Sequence, residues 1–461
     1  MIVMKFGGSS LANAEKIRNA YSIITSGAYD RPAVVLSAMK GVTDSLLTTA
    51  KTAEDGNADY KRQFQAIRKL QEDTVAALFT SDRKNRVLQK IDGLLQELEL
   101  ILTGVELVRE CSSRSLDLIA SFGERLSCTV FTEFLLENGY DAWMFDTRDA
   151  IVTNDRFGNA SVKFEPSYRK IAEKIKAGSG IAVITGFIAR SEEGITTTLG
   201  RNGSDYTASL IGAAIQAEKV EIWTDVDGVL SANPKLVENA FVIDELNFQE
   251  AMELSYFGAE VIHPSTMIPA VEKNISIYIK NTMNPTAVGT RIAKEAAPNP
   301  HPITGIASIG NTALINIEGG GMIGVPGIAS RVFKALAEAD VNIIMISQAS
   351  SEHSICIVTR QQEAEKALAI LERDLQPEIE SKVIQHFDLL DNLEIVAIIG
   401  ENMKGRPGIS GKLFSSLGDA GINVLAIAQG SSERNISFVI SASDTKQALT
   451  VIHKTFLENG T

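Results

Sequence analysis

The stretch KFGGSS at residues 5–10 decides how the first part of the chain folds. A short apolar run ends in Lys5 and Phe6, and two glycines and two serines follow it directly. Glycines let a backbone approach a ligand closely, and consecutive N–H groups at the start of a helix attract phosphate oxygens. The spacing fits neither a Walker A loop nor a dinucleotide fingerprint. Taken alone, the stretch is equally consistent with an anion-binding turn beside Lys5 and with an ordinary strand-to-helix turn.

The sequence around this stretch has the pattern of an α/β protein. Short apolar runs alternate with amphipathic stretches over roughly the first 290 residues, which predicts a layered sheet with helices. Between residues 61 and 119, leucine and isoleucine recur at steps of three and four among charged residues, which predicts helices. Buried strands are predicted at residues 2–6, 33–37, 142–145, 181–185, 220–224 and 275–279.

The last third of the chain contains an internal repeat behind a proline-rich linker, AAPNPHP at residues 296–302. MIGVPGI at residues 322–328 is echoed by MKGRPGI at residues 403–409, and SQASSE at residues 347–352 is echoed by AQGSSE, each time 81 residues later. Each copy predicts the order βαββα, which lacks one strand. The first copy finds that strand near residues 382–387. We predict that residues 303–308 complete the second copy, so that the first is inserted within it.

Composition excludes several classes of protein. The formal net charge of −13 argues against a surface for nucleic acids or anionic membranes. Three cysteines without CxxC spacing suggest neither a disulfide framework nor a zinc site, and no carboxylate cluster suggests a direct metal site. No apolar run approaches the ~20 residues that a membrane helix needs, and the start of the chain does not read as a signal peptide. We therefore expect no nucleic-acid or membrane partner, and a cytoplasmic protein.

The stretch TTTLGRNGSDYT at residues 196–207 is the richest in chemically active residues. Arg201 lies between glycines, where its guanidinium could bind a carboxylate through two hydrogen bonds. Asp205 has two interpretations: with Ser204 it could cap a helix predicted at residues 206–217, or it could hold Lys5 beside a phosphate. The density of special residues favours the second interpretation.

Two acidic positions complete the candidate site. WTDVDGV at residues 223–229 places Thr224 and Asp225 beyond a buried strand, where open α/β sheets bind ligands, although an Asp-Gly turn is the plain alternative. SFGE at residues 121–124 ends in Glu124, a partner for the ammonium group of an amino acid or else a solvated charge at a helix end. A third pattern, GGGMIG at residues 319–324, matches GxGxxG only weakly, because the second repeat lacks it.

Together these stretches resemble the aspartate kinases of the amino-acid-kinase superfamily, with support from TNDRFG at residues 153–158, GF at 186–187 and SYFGAEVIHP at 255–264. The resemblance implies an α/β catalytic domain over residues 1–295, with a mostly parallel sheet sandwiched by helices. It also implies two βαββαβ modules of the ACT type, ferredoxin-like in fold: module 1 over residues 310–389 and module 2 over 303–309 and 390–461. The repeat is most similar to that of threonine-sensitive kinases, some of which are fused to homoserine dehydrogenase; here that dehydrogenase is either absent or lies outside this sequence.

The resemblance further implies ATP-dependent phosphorylation of L-aspartate to 4-phospho-L-aspartate, the first step towards lysine, threonine and methionine. ATP acts with Mg²⁺, an amino acid (threonine, or secondly lysine) acts as effector, and the chain forms a homodimer or larger oligomer through the ACT modules. The implied catalytic residues are Lys5 and Asp205. The implied ATP-binding residues are Lys5, Gly7, Gly8, Ser9, Thr224, Asp225, Leu230 and Lys235. The implied aspartate-binding residues are Thr43, Glu124, Phe187, Arg201 and Ser204. The implied effector-binding residues are Asn342, Gln348, Asn423 and Gln429.

Departures from the family pattern keep alternatives open. Glu260 stands where many relatives carry lysine, and Leu230 and Asn233 stand where many carry tyrosine and aspartate, which affects the expected nucleotide affinity. A weakened or non-catalytic amino-acid sensor and a kinase for glutamate or acetylglutamate would share the fold. A dehydrogenase rests only on the weak GxGxxG match. Because a carboxylate with a pKa near ~3.9 is already ionised at neutral pH, no general base is required and none of the five histidines needs a catalytic role.

Overall fold

The computed structural model describes residues 1–27, 29, 31–258, 263–348, 350 and 353–458. The chain divides into two compact units. The first comprises Met1–Val229, Val242–Phe248 and Val261–Ala296, and the second comprises Leu230–Phe241, Gln249–Glu260 and Ala297–Thr461. The predicted first domain, residues 1–295, therefore contains two short segments that the structure groups with the second unit.

The first part of the chain, up to residue 296, alternates strands with helices as its sequence pattern predicts. The strands are β1 Val3–Phe6, β2 Ala33–Leu36, β3 Ala142–Phe145, β4 Val152–Thr153, β5 Ile181–Thr185, β6 Ile188–Ser191, β7 Thr196–Thr198, β8 Lys219–Thr224, β9 Glu245–Asn247, β10 Ser276–Asn281 and β11 Thr290–Ala293. The helices are α1 Ala14–Ile24, α2 Val42–Glu54, α3 Tyr60–Leu78, α4 Arg83–Val108, α5 Ser113–Ala120, α6 Phe122–Glu137, α7 Phe164–Ala177, α8 Gly203–Ile215, α9 Phe248–Tyr256 and α10 Pro264–Glu272.

The main sheet of the first unit has eight strands in the order β3-β5-β2-β1-β8-β10-β11-β9. Its first six strands are the six predicted from apolar runs, and all neighbouring pairs among them are parallel. Only the β10–β11 pair is antiparallel. The central strands β1, β2 and β5 are fully buried, which explains why they appear in the sequence as continuous apolar runs. The predicted α/β class and mostly parallel sheet are confirmed.

Helices fill the region from residue 61 to 119, as the three- and four-residue spacing predicts. In α4 the buried residues are Val87, Ile91, Leu95, Leu98, Leu102 and Val105, which form one stripe along 26 residues. The same apolar cluster includes α2, α3 and α6. By contrast, the small sheet β4-β6-β7 has no counterpart among the predictions. Its strands have two to four residues, too few for a periodic signal.

The second unit contains the internal repeat. Its strands are β12 Gly305–Glu318, β13 Ile343–Gln348, β14 Ser354–Arg360, β15 His386–Ile399, β16 Ala426–Gln429 and β17 Asn435–Ser441. Its helices are α11 Ile328–Glu338, α12 Gln361–Asp374, α13 Gln376–Glu380, α14 Ile409–Asp419 and α15 Thr445–His453. The strands form one sheet in the order β13-β14-β12-β15-β17-β16. Two apolar cores lie against it, one for each copy of the repeat.

The strand that precedes the first copy pairs with the second copy. Gly305 to Ile309 of β12 pair with Ile395 to Ile399 of β15, which belongs to the second copy, and β15 pairs onward with β17. The remainder of β12 pairs with β14 and with the start of β15. A register shift between Ile309 and Thr312 separates the two halves of β12. The strand predicted near residues 382–387 starts later, at His386, because residues 381–384 still form the turn after α13.

Two segments from the first part of the sequence are anchored within the second unit. Residues of Leu230–Phe241, among them Ala232 and Val237, contribute to the apolar core of the second copy. Ser231 bonds to His453 at 3.0 Å, and Glu250 accepts hydrogen bonds from Thr304 at 2.5 Å and from the Glu401 backbone at 2.9 Å. These contacts explain why the compact units do not follow the order of the sequence.

The weak GxGxxG match has a structural explanation. A Cβ at Gly319 would lie 2.0 Å from the Val383 carbonyl oxygen, and one at Gly321 would lie 2.6 Å from the Val383 Cα. The glycines therefore admit a neighbouring backbone, and the strand that precedes them belongs to an antiparallel sheet. Among the described residues, no helix combines the length and apolarity needed to cross a membrane.

Candidate active site

Lys5 and Asp205 form a buried ion pair at the carboxyl edge of the main sheet. Lys5 lies on β1, between β2 and β8, and its Nζ is 2.5 Å from Asp205 Oδ1. Their exposed fractions are 8% and 5%. Asp205 lies in the first turn of α8, whose N-cap is Asn202 in the left-handed region with φ 57°. The alternative role of Asp205 as a helix cap is therefore wrong.

The glycine turn after β1 lies directly beside this pair. A Cβ at Gly7 would be 3.3 Å from Lys5 Nζ, and one at Gly8 would be 3.1 Å from the Ala38 carbonyl oxygen. The Gly7 N–H donates to the Trp223 carbonyl on β8 at 3.2 Å. Gly8 then opens a short 3₁₀ turn that contains Ser9 and Ser10. The turn thus brings bare backbone and a lysine ammonium to the same edge of the sheet.

The end of β8 is connected to the same turn. Ser10 Oγ lies 2.6 Å from Thr282 Oγ1, and the Thr282 N–H donates to the Thr224 carbonyl at 2.9 Å. Thr224 is the last residue of β8, and the exposed Asp225 follows it and accepts from Thr224 Oγ1 at 3.2 Å. Asp227 instead accepts from Asn281 at 2.9 Å. Thr224 and Asp225 therefore lie at the edge of the sheet that carries Gly7 and Ser9.

Glu124 is a buried carboxyl group with one oxygen that lacks a hydrogen-bond partner. It lies in the first turn of α6, and not at the end of a helix as the sequence suggests. The Ala38 N–H donates to its Oε1 at 3.1 Å, while its buried Oε2 has no hydrogen-bond partner among the described residues. Burial raises the pKa of Glu124 to about 8. A Cβ at the preceding Gly123 would be 2.7 Å from the Ala38 Cβ and 3.7 Å from Thr43 Oγ1, which places Thr43 beside this turn.

Phe187 and Ser204 meet at a third close approach. Phe187 has a positive φ of 67°, and its N–H donates to Thr207 Oγ1 at 3.0 Å. A Cβ at Gly186 would lie 2.6 Å from Ser204 Oγ and 2.9 Å from the Leu36 carbonyl oxygen. The end of β5 is therefore packed directly against the first turn of α8, which carries both Ser204 and Asp205.

Arg201 lies on the exposed loop between β7 and α8. Gly200 before it has φ +74°, a conformation that glycine adopts without strain. The positive charge of Arg201 reaches His263: burial first, and then this charge, lower the pKa of His263. His263 caps α10 through a hydrogen bond from the Ser265 N–H.

Not every predicted residue belongs to this group. Leu230 and Lys235 fall in the second unit, where Lys235 is exposed in a turn. The four predicted effector residues, Asn342, Gln348, Asn423 and Gln429, are all exposed in that unit. Gln348 ends β13 and Gln429 ends β16, the two outer strands of the sheet, and Ser347 Oγ donates to the Ile427 carbonyl at 2.9 Å. Glu260 lies outside the described residues.

The predicted site omits Asp117, one of several buried acids among the described residues. Asp117 on α5 is 4% exposed and accepts hydrogen bonds from the backbones of Gly158 and Thr198. Gly158 ends the stretch TNDRFG, and Thr198 belongs to the stretch TTTLGRNGSDYT. A signal did exist: Asp117 precedes Glu124 by seven residues, about two helical turns, in an otherwise apolar stretch.

Two known protein families match this chain. The amino acid kinase family matches residues 1–281, and the ACT domain matches residues 315–375 and 396–456. Aspartokinase 1, chloroplastic, of Arabidopsis thaliana is 33% identical over 99% of this chain and 80% of that protein. The chain belongs to the aspartate kinases of the amino acid kinase family. The two ACT matches are themselves 81 residues apart, the offset of the internal repeat.

Solved aspartate kinases share the whole fold. The structure of E. coli aspartokinase III in complex with aspartate and ADP (R-state) is 30% identical, covers 99% of both chains and superposes with a TM-score of 0.83. The chain is also 36% identical to the bifunctional aspartokinase/homoserine dehydrogenase 2, chloroplastic, of Arabidopsis thaliana, over 98% of this chain and 50% of that protein. The chain thus spans about half the length of such bifunctional relatives.

Proposed function

We propose that this aspartate kinase family member transfers the γ-phosphoryl group of ATP to the side-chain carboxylate of L-aspartate. The buried Lys5–Asp205 pair beside the glycine turn is the observation that carries the proposal. It offers a fixed positive charge and bare backbone to a phosphate at the carboxyl edge of a parallel sheet, where open α/β sheets bind ligands. The solved relative that contains aspartate and ADP supports the same choice of substrates.

The proposed reaction needs positioning and charge neutralisation, and no proton transfer. A carboxylate oxygen of aspartate attacks the γ-phosphorus, the bond from phosphorus to the β,γ-bridging oxygen breaks, and ADP leaves with that electron pair. In this proposal Lys5 neutralises charge on the transferring group, and Asp205 holds the lysine in place. Gly7, Gly8 and Ser9 contact the phosphates of ATP, which binds as its magnesium complex.

The opposite side of the proposed pocket selects an α-amino acid. The unpartnered Glu124 Oε2 accepts from the ammonium group, because a buried acceptor without a donor is costly and an ammonium satisfies it. Arg201 binds a carboxylate of the substrate, while Thr43, Phe187 and Ser204 surround it. Thr224 and Asp225 contact the nucleotide. Leu230 and Lys235 are assigned to the nucleotide by family resemblance alone.

A coupled assay of ADP release tests this proposal. We expect ADP to form from MgATP only when L-aspartate is present, with glutamate and acetylglutamate giving no turnover above background. Detection of the acyl phosphate by hydroxylamine trapping identifies the product. ADP release that is independent of aspartate, or preferred turnover of another carboxylate, would overturn the proposal.

We further propose that an amino acid regulates the activity through the two ACT modules, with threonine favoured and lysine second. In the two repeats, Asn342 and Asn423 precede β13 and β16, and Gln348 and Gln429 are the last residues of these strands; all four are exposed. A solved relative, E. coli aspartokinase III, is in complex with lysine and aspartate (T-state). An effector shifts activity only as far as its affinities for the two states differ.

Calorimetric titration separates the two effectors. We expect threonine to bind and to inhibit ADP release, and Gln348→Ala together with Gln429→Ala to abolish both effects while uninhibited turnover persists. Tighter binding of lysine would reverse the order of effectors, and binding of neither would remove the regulatory proposal. We also propose three domains: a catalytic domain over residues 1–295, ACT module 1 over 310–389, and ACT module 2 over 303–309 and 390–461. The proposal includes assembly of the chain through the ACT modules and a cytoplasmic location. Some plant relatives are named chloroplastic.

A further inference from the structure

Asp117 is a buried carboxylate to which none of the proposed roles applies. Both of its oxygens accept from the Gly158 N–H at 3.0 Å. Oδ2 also accepts from the Thr198 N–H at 2.9 Å, and Oδ1 accepts from Thr198 Oγ1 at 2.8 Å. This side chain thus accepts four hydrogen bonds from two residues, which lie 41 and 81 positions away in the sequence. It therefore joins segments that are distant in the chain.

The two segments that meet at Asp117 are also packed against each other. The Ala160 N–H donates to the Thr198 carbonyl at 2.9 Å. A Cβ at Gly200 would lie 2.6 Å from Asn159 Oδ1, so the backbone that leads to Arg201 runs directly over the loop that contains Gly158. The carboxylate therefore fixes the loop and the end of β7 as one body.

Asp117 also connects this body to the helix that carries Glu124. Its backbone carbonyl accepts from the Ser121 N–H at 3.1 Å, at the junction where α5 ends and α6 begins. Glu124 lies three residues beyond Ser121, in the first turn of α6. On the other side, only Leu199 and Gly200 separate Thr198 from Arg201. The groups proposed to bind the ammonium and the carboxylate of the substrate are therefore joined through one residue, Asp117, by its backbone carbonyl on one side and its side chain on the other.

A buried carboxylate such as that of Asp117 costs more free energy than a purely structural contact requires. Burial raises the pKa of Asp117, although its hydrogen bonds oppose this effect. Removing a carboxylate from water costs free energy that neutral donors only partly recover, and a neutral acceptor would hold a turn at lower cost. The carboxylate does supply four acceptor sites in a fixed fork, so it holds two segments with higher positional precision than a single amide oxygen.

We propose that Asp117 is a positioning residue that sets the spacing between Glu124 and Arg201 and thereby the affinity for the amino-acid substrate. This inference rests on the proposed aspartate kinase activity. A displacement of about 1 Å between substrate-binding groups is enough to cost roughly 10²-fold in activity. The effect falls on aspartate and not on ATP, because the hydrogen-bond network of Asp117 does not include the glycine turn at residues 7–8.

Substitutions at Thr198 test the proposal with little disturbance of the core. Thr198→Val removes one donor to Asp117 while keeping shape and the backbone N–H, and Thr198→Ser keeps the donor. Thr197→Val is the matched control, because Thr197 is equally buried on the same strand but bonds to Thr153 Oγ1 at 2.7 Å. We expect Thr198→Val to raise KM for aspartate about tenfold, with KM for ATP and kcat within about twofold of the wild-type values. Thr198→Ser and Thr197→Val should keep wild-type KM values.

Asp117→Asn should raise KM for aspartate further, because the NH₂ group of the new amide would face the Gly158 N–H, which is also a donor. If Asp117→Asn fails to fold, the Thr198 series alone decides. Equal changes in KM for aspartate and for ATP, or equal effects of Thr197→Val and Thr198→Val, would overturn the positioning role. Calorimetry with aspartate alone separates the two proposals. If the wild-type protein binds aspartate but shows no turnover, the proposed activity is wrong. If the wild type is active and Thr198→Val keeps the wild-type affinity for aspartate, only the positioning role is wrong.

Discussion

Glu124 is the residue whose environment is most informative about chemistry. Its carboxyl group is buried, one oxygen accepts from the Ala38 N–H, and the other has no hydrogen-bond partner in the part of the chain that the structure describes. Burial raises its pKa from 4.5 to about 8, so that the folded chain binds more protons than the unfolded chain between these pH values. The stability of the folded state therefore falls as pH rises through this window, by up to about 1.4 kcal/mol for each pH unit.

This linkage predicts a pH-dependent affinity for aspartate. A substrate ammonium favours the ionised carboxylate, so KM for aspartate should fall as pH rises towards 8 and level off above it, and binding at pH 7 should release a proton. Calorimetry in buffers of different ionisation enthalpy counts that proton. Glu124→Gln should weaken aspartate binding and remove its pH dependence. Glu133→Gln on the same helix, where Glu133 is paired with Lys90 and Arg83, should change neither property.

The Lys5–Asp205 pair allows stability to be separated from catalysis. Lys5→Met should lower kcat by about 10³-fold. It should also lower the free energy of unfolding by roughly 3 kcal/mol, because it leaves Asp205 buried without a partner. Adding Asp205→Asn should restore most of the stability and none of the turnover, as seen by denaturant titration and ADP release. Lys219→Met removes the cationic partner, 2.8 Å away, of buried Glu221 on β8, the strand next to β1, and should lower stability and spare kcat. Turnover by the double variant would contradict the assignment.

At the scale of elements, the site depends on backbones that approach each other closely. Gly8 lies against Ala38 after β2, Gly123 of α6 lies against the same residue, and Gly186 after β5 lies against Ser204 of α8. Parallel strands end at one edge, and each connection there packs on the next. The glycines at these close approaches therefore set the distances between the polar side chains on the loops and helices that follow the strands.

Gly186→Ala tests this dependence. The new Cβ would meet Ser204 Oγ at 2.6 Å and the Leu36 carbonyl at 2.9 Å, so α8 has to shift. We expect a loss of about 1–3 kcal/mol in the free energy of unfolding and a raised KM for aspartate. The control is Gly104→Ala in α4, where a Cβ meets nothing within 4 Å and should add up to about 1 kcal/mol of stability. Wild-type kinetics in Gly186→Ala would show that the close approach of Gly186 to Ser204 does not set the distances between the substrate-binding groups.

At the scale of the whole molecule, the second unit is held together by two strands that its modules share. The first half of β12 pairs with the second half of β15, and the second half of β12 pairs with the first half of β15. The second module is therefore not a contiguous stretch of sequence. The first is inserted in the second, so the two modules tolerate deletion differently.

Two deletions in the full chain should have opposite outcomes. Removing residues 311–391 joins Gly310 to Asn392, and since Ile309 pairs with Ile395, this junction forms a short hairpin that leaves the second module complete. We expect this variant to keep a cooperative thermal unfolding transition for the second unit. Ending the chain at residue 389 leaves Gly305 to Ile309 without their strand partner, and should abolish that transition. Protection of amide hydrogens in residues 393–399 distinguishes the cases. Equal stability of both variants would contradict the inserted arrangement.

The amino-acid sequence by itself determined the six parallel strands, the helical region, the repeat and the pairing of the strand before the first copy with the second copy. Each of these is recorded by local periodicity or by internal comparison, because burial on one face or on both faces of an element repeats along the chain. It also indicated which polar residues stand at strand ends. It did not indicate the short strands β4, β6 and β7, which contain too few residues to show a period.

Only the tertiary structure decided which of these residues meet. Lys5 and Asp205 are 200 positions apart in the sequence, and their ion pair depends on the order of strands in the sheet and on the position of α8 against it. The same holds for Asp117, whose partners come from two other segments, and for Glu124, whose raised pKa arises from burial by distant residues. Local patterns report how each element is buried, whereas distances between side chains follow from packing between elements far apart in the chain.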